Sequence, residues 1–299
     1  MSFVEKKKRR CGDRRDGVWV RDIPGLNVIM SGLYPNRADC EVCMHEELDI
    51  TKLLKYIEEK NNSGQDHQTK LFHCIVAMMV RIVNERRYLN RFVRNLRIYE
   101  RDVITVSFIA KRQFSDTAEE ALVTYKAKAT DNIDDVSRFI LGEVKEVRKE
   151  QKGKKKDLNQ TINNFAKLPR FLLKMIVGFI RFLDKHGKVP KSLTNGDPAY
   201  STLLLSNLGS IKCPSVYHHL NNYGTNSIMM TIGTMQKKTV LHEDGSIETK
   251  DVLGISVTAD ERIADGFYFA KSIKMLHFLC NHPEILDKTF DENVELVEK

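Results

Sequence analysis

Hydrophobic and polar positions change their spacing several times along this chain. Around Ser206 to Gly266 the apolar residues come in short, partly β-branched runs, each bounded by Gly, Asn or Asp. The runs are Leu203 to Leu205, Ser227 to Gly233, Lys238 to Leu241 and Ile255 to Thr258, a pattern that predicts short buried strands. His242-Glu243-Asp244-Gly245-Ser246 places Asp-Gly between two of them, which predicts a tight hairpin. Upstream, residues 17 to 38 predict a short strand and a helix, punctuated by Pro24-Gly25 and Tyr34-Pro35. Residues 39 to 49 alternate as a strand does, and Asp49 or Thr51 then caps a helix running through Lys60. A loop at Asn61 to Asp66 follows. Leu71 to Val83 is apolar on nearly every face and predicts a buried helix. Leu89 to Glu100 predicts a short hairpin and Val103 to Ile109 a strong strand. Asp131 to Glu150 predicts an amphipathic helix with Ile133, Val136, Phe139, Ile140, Val144 and Val147 on one side, ending in the basic loop Lys152 to Lys156.

Leu158 to Lys185 combines two patterns. A broad apolar face includes Leu172, Met175, Ile176, Phe179, Ile180 and Leu183, and Pro169 breaks or restarts the helix. Arg170, Lys174, Arg181 and Lys185 recur at helical spacing on the other side. Such a helix can lie on a membrane surface. It can equally bury its apolar face in its own core or against a neighbouring subunit, and burial is the expectation.

Composition narrows the class. The 299 residues allow one large domain or two small ones, and 41% hydrophobic with 29% charged residues suits a soluble globular protein. No apolar run approaches the ~18 residues of a membrane span, and no apolar segment follows the basic amino-terminus, so a cytoplasmic location is expected. Cysteines at 11, 40, 43, 74, 213 and 280 lack a disulfide framework. Cys40 and Cys43 would point to opposite faces of a strand, and no second pair completes a zinc set, so no metal is expected. The net charge is +8, and seven cations crowd the first fifteen residues. A solvated, flexible terminus is the expectation there. No aromatic residue interleaves with these charges, and no nucleic-acid partner is predicted. A basic excess also suits a phosphate-bearing ligand.

Two turns carry chemistry. Ser206-Asn207-Leu208-Gly209 is followed roughly fifty residues later by a strand, then Asp265-Gly266 and an amphipathic helix. Upstream, Leu48-Asp49-Ile50-Thr51 ends a strand ahead of a helix. In this order the motifs resemble the CoA-dependent acyltransferase family of chloramphenicol acetyltransferase and the catalytic domain of 2-oxo acid dehydrogenase acyltransferases. The resemblance covers residues 17 to 287. It implies an α+β, chloramphenicol-acetyltransferase-like fold, a mixed β-sheet covered by helices. Residues 17–287 would form one catalytic domain between a basic terminus, 1–16, and an acidic tail, 288–299. It implies transfer of an acyl group between coenzyme A and a small-molecule acceptor, in a homotrimer whose site lies between subunits. No lipoyl domain or subunit-binding segment is visible, so a stand-alone catalytic-type domain without a lipoyl group is expected.

The family motif is His-x-x-x-Asp-Gly, and here Glu261 holds the histidine position. In the family that histidine is the general base, while the serine matching Ser206 donates to the oxyanion of the tetrahedral intermediate, a contribution of about 3–4 kcal/mol. Asp265 matches a side chain that makes polar contacts beside the base. Asn207, Gly209 and Gly266 match turn positions. For Glu261 to deprotonate a thiol is uphill by roughly 5–6 kcal/mol at ordinary pKa values, and burial would reduce that. His218 and His219 are candidate substitute bases; in a strand they would face opposite ways, so at most one would see Ser206. The alternative is a catalytically dead trimeric relative that binds or scaffolds.

Overall fold

A computed structural model describes residues 8–111, 120–149, 167–194 and 196–294. The strand-forming runs build a six-stranded mixed sheet in the order β2-β9-β8-β7-β5-β6. Its strands are β2 (Glu41–Asp49), β5 (Thr105–Lys111), β6 (Glu120–Lys126), β7 (Leu203–Asn207), β8 (Ile228–Leu241) and β9 (Ile247–Asp260). β7 runs parallel to both β5 and β8, and the other pairs are antiparallel. A smaller sheet pairs β4 (Arg97–Glu100) with β1 (Val18–Trp19) on one side and β3 (Arg91–Arg94) on the other. The helices are α1 (Gly25–Leu33), α2 (Thr51–Asn62), α3 (Leu71–Glu85), α4 (Ile133–Lys149), α5 (Arg170–Lys185) and α6 (Gly266–Asn281), with one further turn at Lys191–Thr194.

Strand alternation divides the large sheet into two faces. Leu203, Leu205, Met230, Ile232, Ile255 and Val257 join the apolar core with α3 and α6. α3 is the centre of that core: every residue from His73 to Asn84 is buried. Its continuous hydrophobicity has the predicted cause, burial on all sides. The opposite face is polar, and Thr231, Ser256, Thr258 and Asp260 are all buried there. The extended stretch 213–220 crosses this face. Thr231 Oγ1 accepts from Val216 N at 3.1 Å and donates to Val216 O at 2.5 Å. A Cβ at Gly233 would stand 2.3 Å from Ser215 N, so the crossing requires glycine there.

The mixed sheet covered by helices matches the predicted class, and the structure corrects several details. Ser227 to Gly233 and Lys238 to Leu241 are one strand, β8, irregular in register between Ile232 and Met235. The outer half of the β8–β9 hairpin is exposed rather than buried. β6 was not foreseen. The expectation for α5 is burial of its apolar face in its own core or against a neighbouring subunit. Within this chain Asp184 alone of its residues is fully buried, Leu172, Ile176, Ile180 and Leu183 are half-buried, and Met175 and Phe179 are exposed. The helix is apolar on too many sides for one flank of the domain to cover. The basic terminus is not wholly solvated: Arg14 is buried, pairs with Asp16 at 2.8 Å and donates to Asp184 O at 2.7 Å. The described start of the acidic tail, 288–294, is anchored: Phe290 is fully buried and Arg81 donates to Lys288 O at 2.8 Å. Residues 152–156 and the first part of the 158–185 segment lie outside the described residues. Among the described residues no helix is long and apolar enough to cross a membrane, and no group of three or more potential ligands could hold a metal ion.

Candidate active site

Glu261 takes its place from its neighbours. β9 ends at Asp260, whose carboxylate has no exposed surface. A buried charge needs a partner, and Arg262 supplies it, with Nε 2.8 Å and Nη2 2.7 Å from the two carboxylate oxygens. Asp260 also accepts the Arg262 backbone N–H at 3.2 Å, which caps the 3-10 turn Glu261–Ile263. Arg37 approaches the same carboxylate at 3.6 Å. Burial pushes the Arg37 pKa down to about 10, against the pull of Asp260. Burial also works against the Arg262 charge, but the hydrogen bond and charge of Asp260 outweigh it and raise its pKa. With both flanking residues turned inward, Glu261 is left outside and exposed. Arg262 pairs with Asp260 and not with Glu261.

Asp265 is occupied by folding. Its Oδ1 accepts the Tyr268 N–H at 2.8 Å as the N-cap of α6. Gly266 opens that helix with open space where a Cβ would stand, so a single chain has no steric need for glycine at this point. Gly209 differs: a Cβ there would lie 2.3 Å from Gly233 O. Asn207 Oδ1 accepts from Ser210 N at 3.3 Å and caps the turn after β7.

Ser206 is the last strand residue before that turn but one, half-buried on the polar face. It stands opposite Thr231, which stands opposite Ser256, which stands opposite His45 on the edge strand β2. His45 Nδ1 and Ser256 Oγ share a hydrogen bond of 3.0 Å. This row of hydroxyls ending in an imidazole was missed in the sequence, although the alternation of residues 39 to 49 already puts His45 on the face of Cys43 and Glu47. The substitute bases behave otherwise than expected. The stretch holding His218 and His219 is not a strand, because it crosses the sheet instead of pairing with it. Both rings are exposed and lie 4.8 Å apart, and His218 Nδ1 is 3.1 Å from its neighbour's carbonyl.

The register also separates Ser206 from Glu261. They are two strands apart and five residues apart along the sheet, on the order of 20 Å by strand geometry. One chain therefore does not bring the two together.

The model of one protein family, 2-oxoacid dehydrogenases acyltransferase (catalytic domain), matches residues 184–286, which include both turns. The dihydrolipoamide acetyltransferase of Azotobacter vinelandii, studied for a serine, a histidine and an asparagine in its catalytic mechanism, superposes with a TM-score of 0.58 at 11% identity, covering 90% of this chain and 94% of that one. The fold is that of the dihydrolipoamide acetyltransferases. The probable enzyme of this type from Listeria monocytogenes gives a TM-score of 0.56 at 16% identity over 93% of this chain and 98% of its own. The truncated catalytic core of the 2-oxoacid dehydrogenase multienzyme complex of Thermoplasma acidophilum gives 0.53 at 14% over 88% and 98%. No curated protein matches the chain in sequence. The resemblance drawn from Ser206 to Gly266 is thus upheld: residues 184–286 match the acyltransferase catalytic-domain family, and the fold is shared over about nine-tenths of the chain.

Proposed function

We propose that this chain is an acyltransferase that moves an acyl group between coenzyme A and a small acceptor, at a site completed by Glu261 of one copy and Ser206 of another. The observation that carries the reading is the placement of the two residues. Ser206 stands on the polar sheet face, Glu261 projects from the end of β9, and the fold keeps them apart within one chain. A homotrimer of the kind the resemblance implies would close that distance. Ser206 Oγ then donates to the developing oxyanion, and Glu261 takes the proton from the thiol or acceptor. An acceptor that ionises late in the reaction suits this weaker base.

The exposure of Glu261 and its presence where a histidine is expected favour a second reading, a trimeric relative that binds without catalysis. Thiol release from acetyl-CoA and longer acyl-CoAs, with alcohol and amine acceptors, separates the two. The enzyme reading expects release by the wild type, and a loss of about 10²- to 10⁴-fold in Glu261→Gln, the range for a general base. Binding of coenzyme A without thiol release under any donor and acceptor supports the binding relative.

A further inference from the structure

The longest exposed apolar surface among the described helices belongs to α5 and α1. On α5, Phe171, Met175, Phe179 and Phe182 fall at i, i+4, i+8 and i+11, one stripe of the helix. On α1, Leu26, Ile29 and Leu33 fall at i, i+3 and i+7. All seven side chains are 58–69% exposed. Soluble monomers rarely leave large apolar patches open, and exposed apolar stripes of this length mark interaction sites. Beside the apolar stripe of α5 runs a second one, Arg170, Lys174, Arg181 and Lys185, also exposed. Aromatic and basic stripes side by side on one helix are the composition of an interfacial helix.

Between the two helices lies a cleft of about 500 Å³, which Ser31 and Phe182 border from either side. Its lining includes Arg37, Arg94, Arg181, Lys185 and Arg262, and no carboxylate. The nearby acids are already taken, Asp184 by Arg94 and Asp260 by Arg262. The buried Nε–H groups of Arg37 and Arg94 make no hydrogen bond. The cleft is a cationic recess in which Arg37, Arg94 and Arg262 already donate to carboxylates and carbonyls, while Arg181 and Lys185 stand exposed at its rim beside the apolar stripe of α5. That combination matches a phospholipid, with its phosphate among the arginines and its acyl region against the Phe and Leu side chains.

We infer that the α1–α5 face binds an anionic phospholipid membrane, the apolar stripes entering the bilayer interface and the cleft receiving a lipid phosphate. A second copy of the chain fits this face less well. In a cyclic trimer a different face of the neighbour would have to meet both the apolar stripes and a cleft lined by five cations and no carboxylate, whereas an anionic lipid surface complements both at once. No described helix is long and apolar enough to cross the bilayer, so the attachment lies on the membrane surface.

The test is co-sedimentation of the full chain with vesicles of phosphatidylcholine alone and of phosphatidylcholine mixed with phosphatidylglycerol. Phe171→Asp/Phe179→Asp and Arg181→Glu/Lys185→Glu are run alongside, with circular dichroism and sedimentation velocity on each. The inference expects pelleting with the mixed vesicles that weakens with added salt. It expects partition lower by about tenfold or more in each double variant at unchanged fold and subunit number. Wild type left in the supernatant of anionic vesicles overturns it. So does unchanged pelleting of the Phe variant. A Phe variant that sheds subunits assigns the face to a second copy. Calorimetric binding of inorganic phosphate without vesicle pelleting assigns the cleft to a free phosphate compound. Either outcome also overturns the inference. None of these readouts depends on acyl transfer.

Discussion

Gly209 and His73 show how single positions are fixed by their surroundings. Gly209 sits where the turn after β7 touches the backbone of β8, with a Cβ position 2.3 Å from Gly233 O. Gly209→Ala must push β7 and β8 apart, and it should lower stability by about 2–4 kcal/mol in urea unfolding. A loss below a few tenths would show that the turn yields freely. His73 is buried in α3, where its Nδ1 accepts from Lys70 N at 3.3 Å and lies 3.2 Å from Ser137 Oγ. Burial pushes its pKa down to about 4, whereas an unfolded histidine titrates near ~6.5. Between those values the unfolded chain binds a proton that the folded chain refuses. Stability should therefore fall as pH drops from about 6.5 towards 4, by on the order of 3 kcal/mol over that window. His73→Asn should flatten the unfolding midpoint across the same range. An unchanged pH profile would place the acid sensitivity elsewhere.

At the scale of elements, Asp265 decides between a chemical and a structural reading of the Asp-Gly pair. Its carboxylate caps α6, so Asp265→Ala should cost about 1 kcal/mol and shift the melting temperature by about 2–4 °C. Acyl transfer per folded molecule should stay near the wild-type value. A rate loss as deep as that of Glu261→Gln, at full folding, would give Asp265 a chemical role. What the sequence disclosed about elements follows burial. α3 was legible because a segment packed on every side is apolar at nearly every position. The β8–β9 hairpin was legible at Asp244-Gly245, where Gly245 takes a φ of +82° in the turn. β8 looked like two strands because Gly233 and the polar residues after Ile232 interrupt its pattern. The cause is a crossing segment that no local pattern announces. How much of α5 one chain covers was not legible for a related reason. Its sequence shows how much of the helix is apolar, not which neighbours stand ready to cover it.

For the whole molecule the central matter is how a fold that sets Ser206 and Glu261 two strands and five residues apart could serve the one reaction proposed for it. The residue types were legible: Ser206 and Glu261 stand out from their motifs alone. Their separation was not, because it depends on a register in which Ser206 lines up with Thr231, Ser256 and His45, well short of the end of β9. Glu261 is exposed in a single chain, and the proposed function therefore requires a second copy to supply the walls of the site. Sedimentation velocity should find an oligomer, and dilution that yields monomers should abolish thiol release. The most direct measurement is thiol release from acyl-CoA by Ser206→Ala, by Glu261→Gln, and by hybrids assembled from the two variants together. A site shared between copies predicts that each variant alone is nearly inactive, while the hybrids recover activity, since some of their sites pair an intact Ser206 with an intact Glu261. Hybrids no more active than the better single variant, all at the wild-type subunit number, would contradict it.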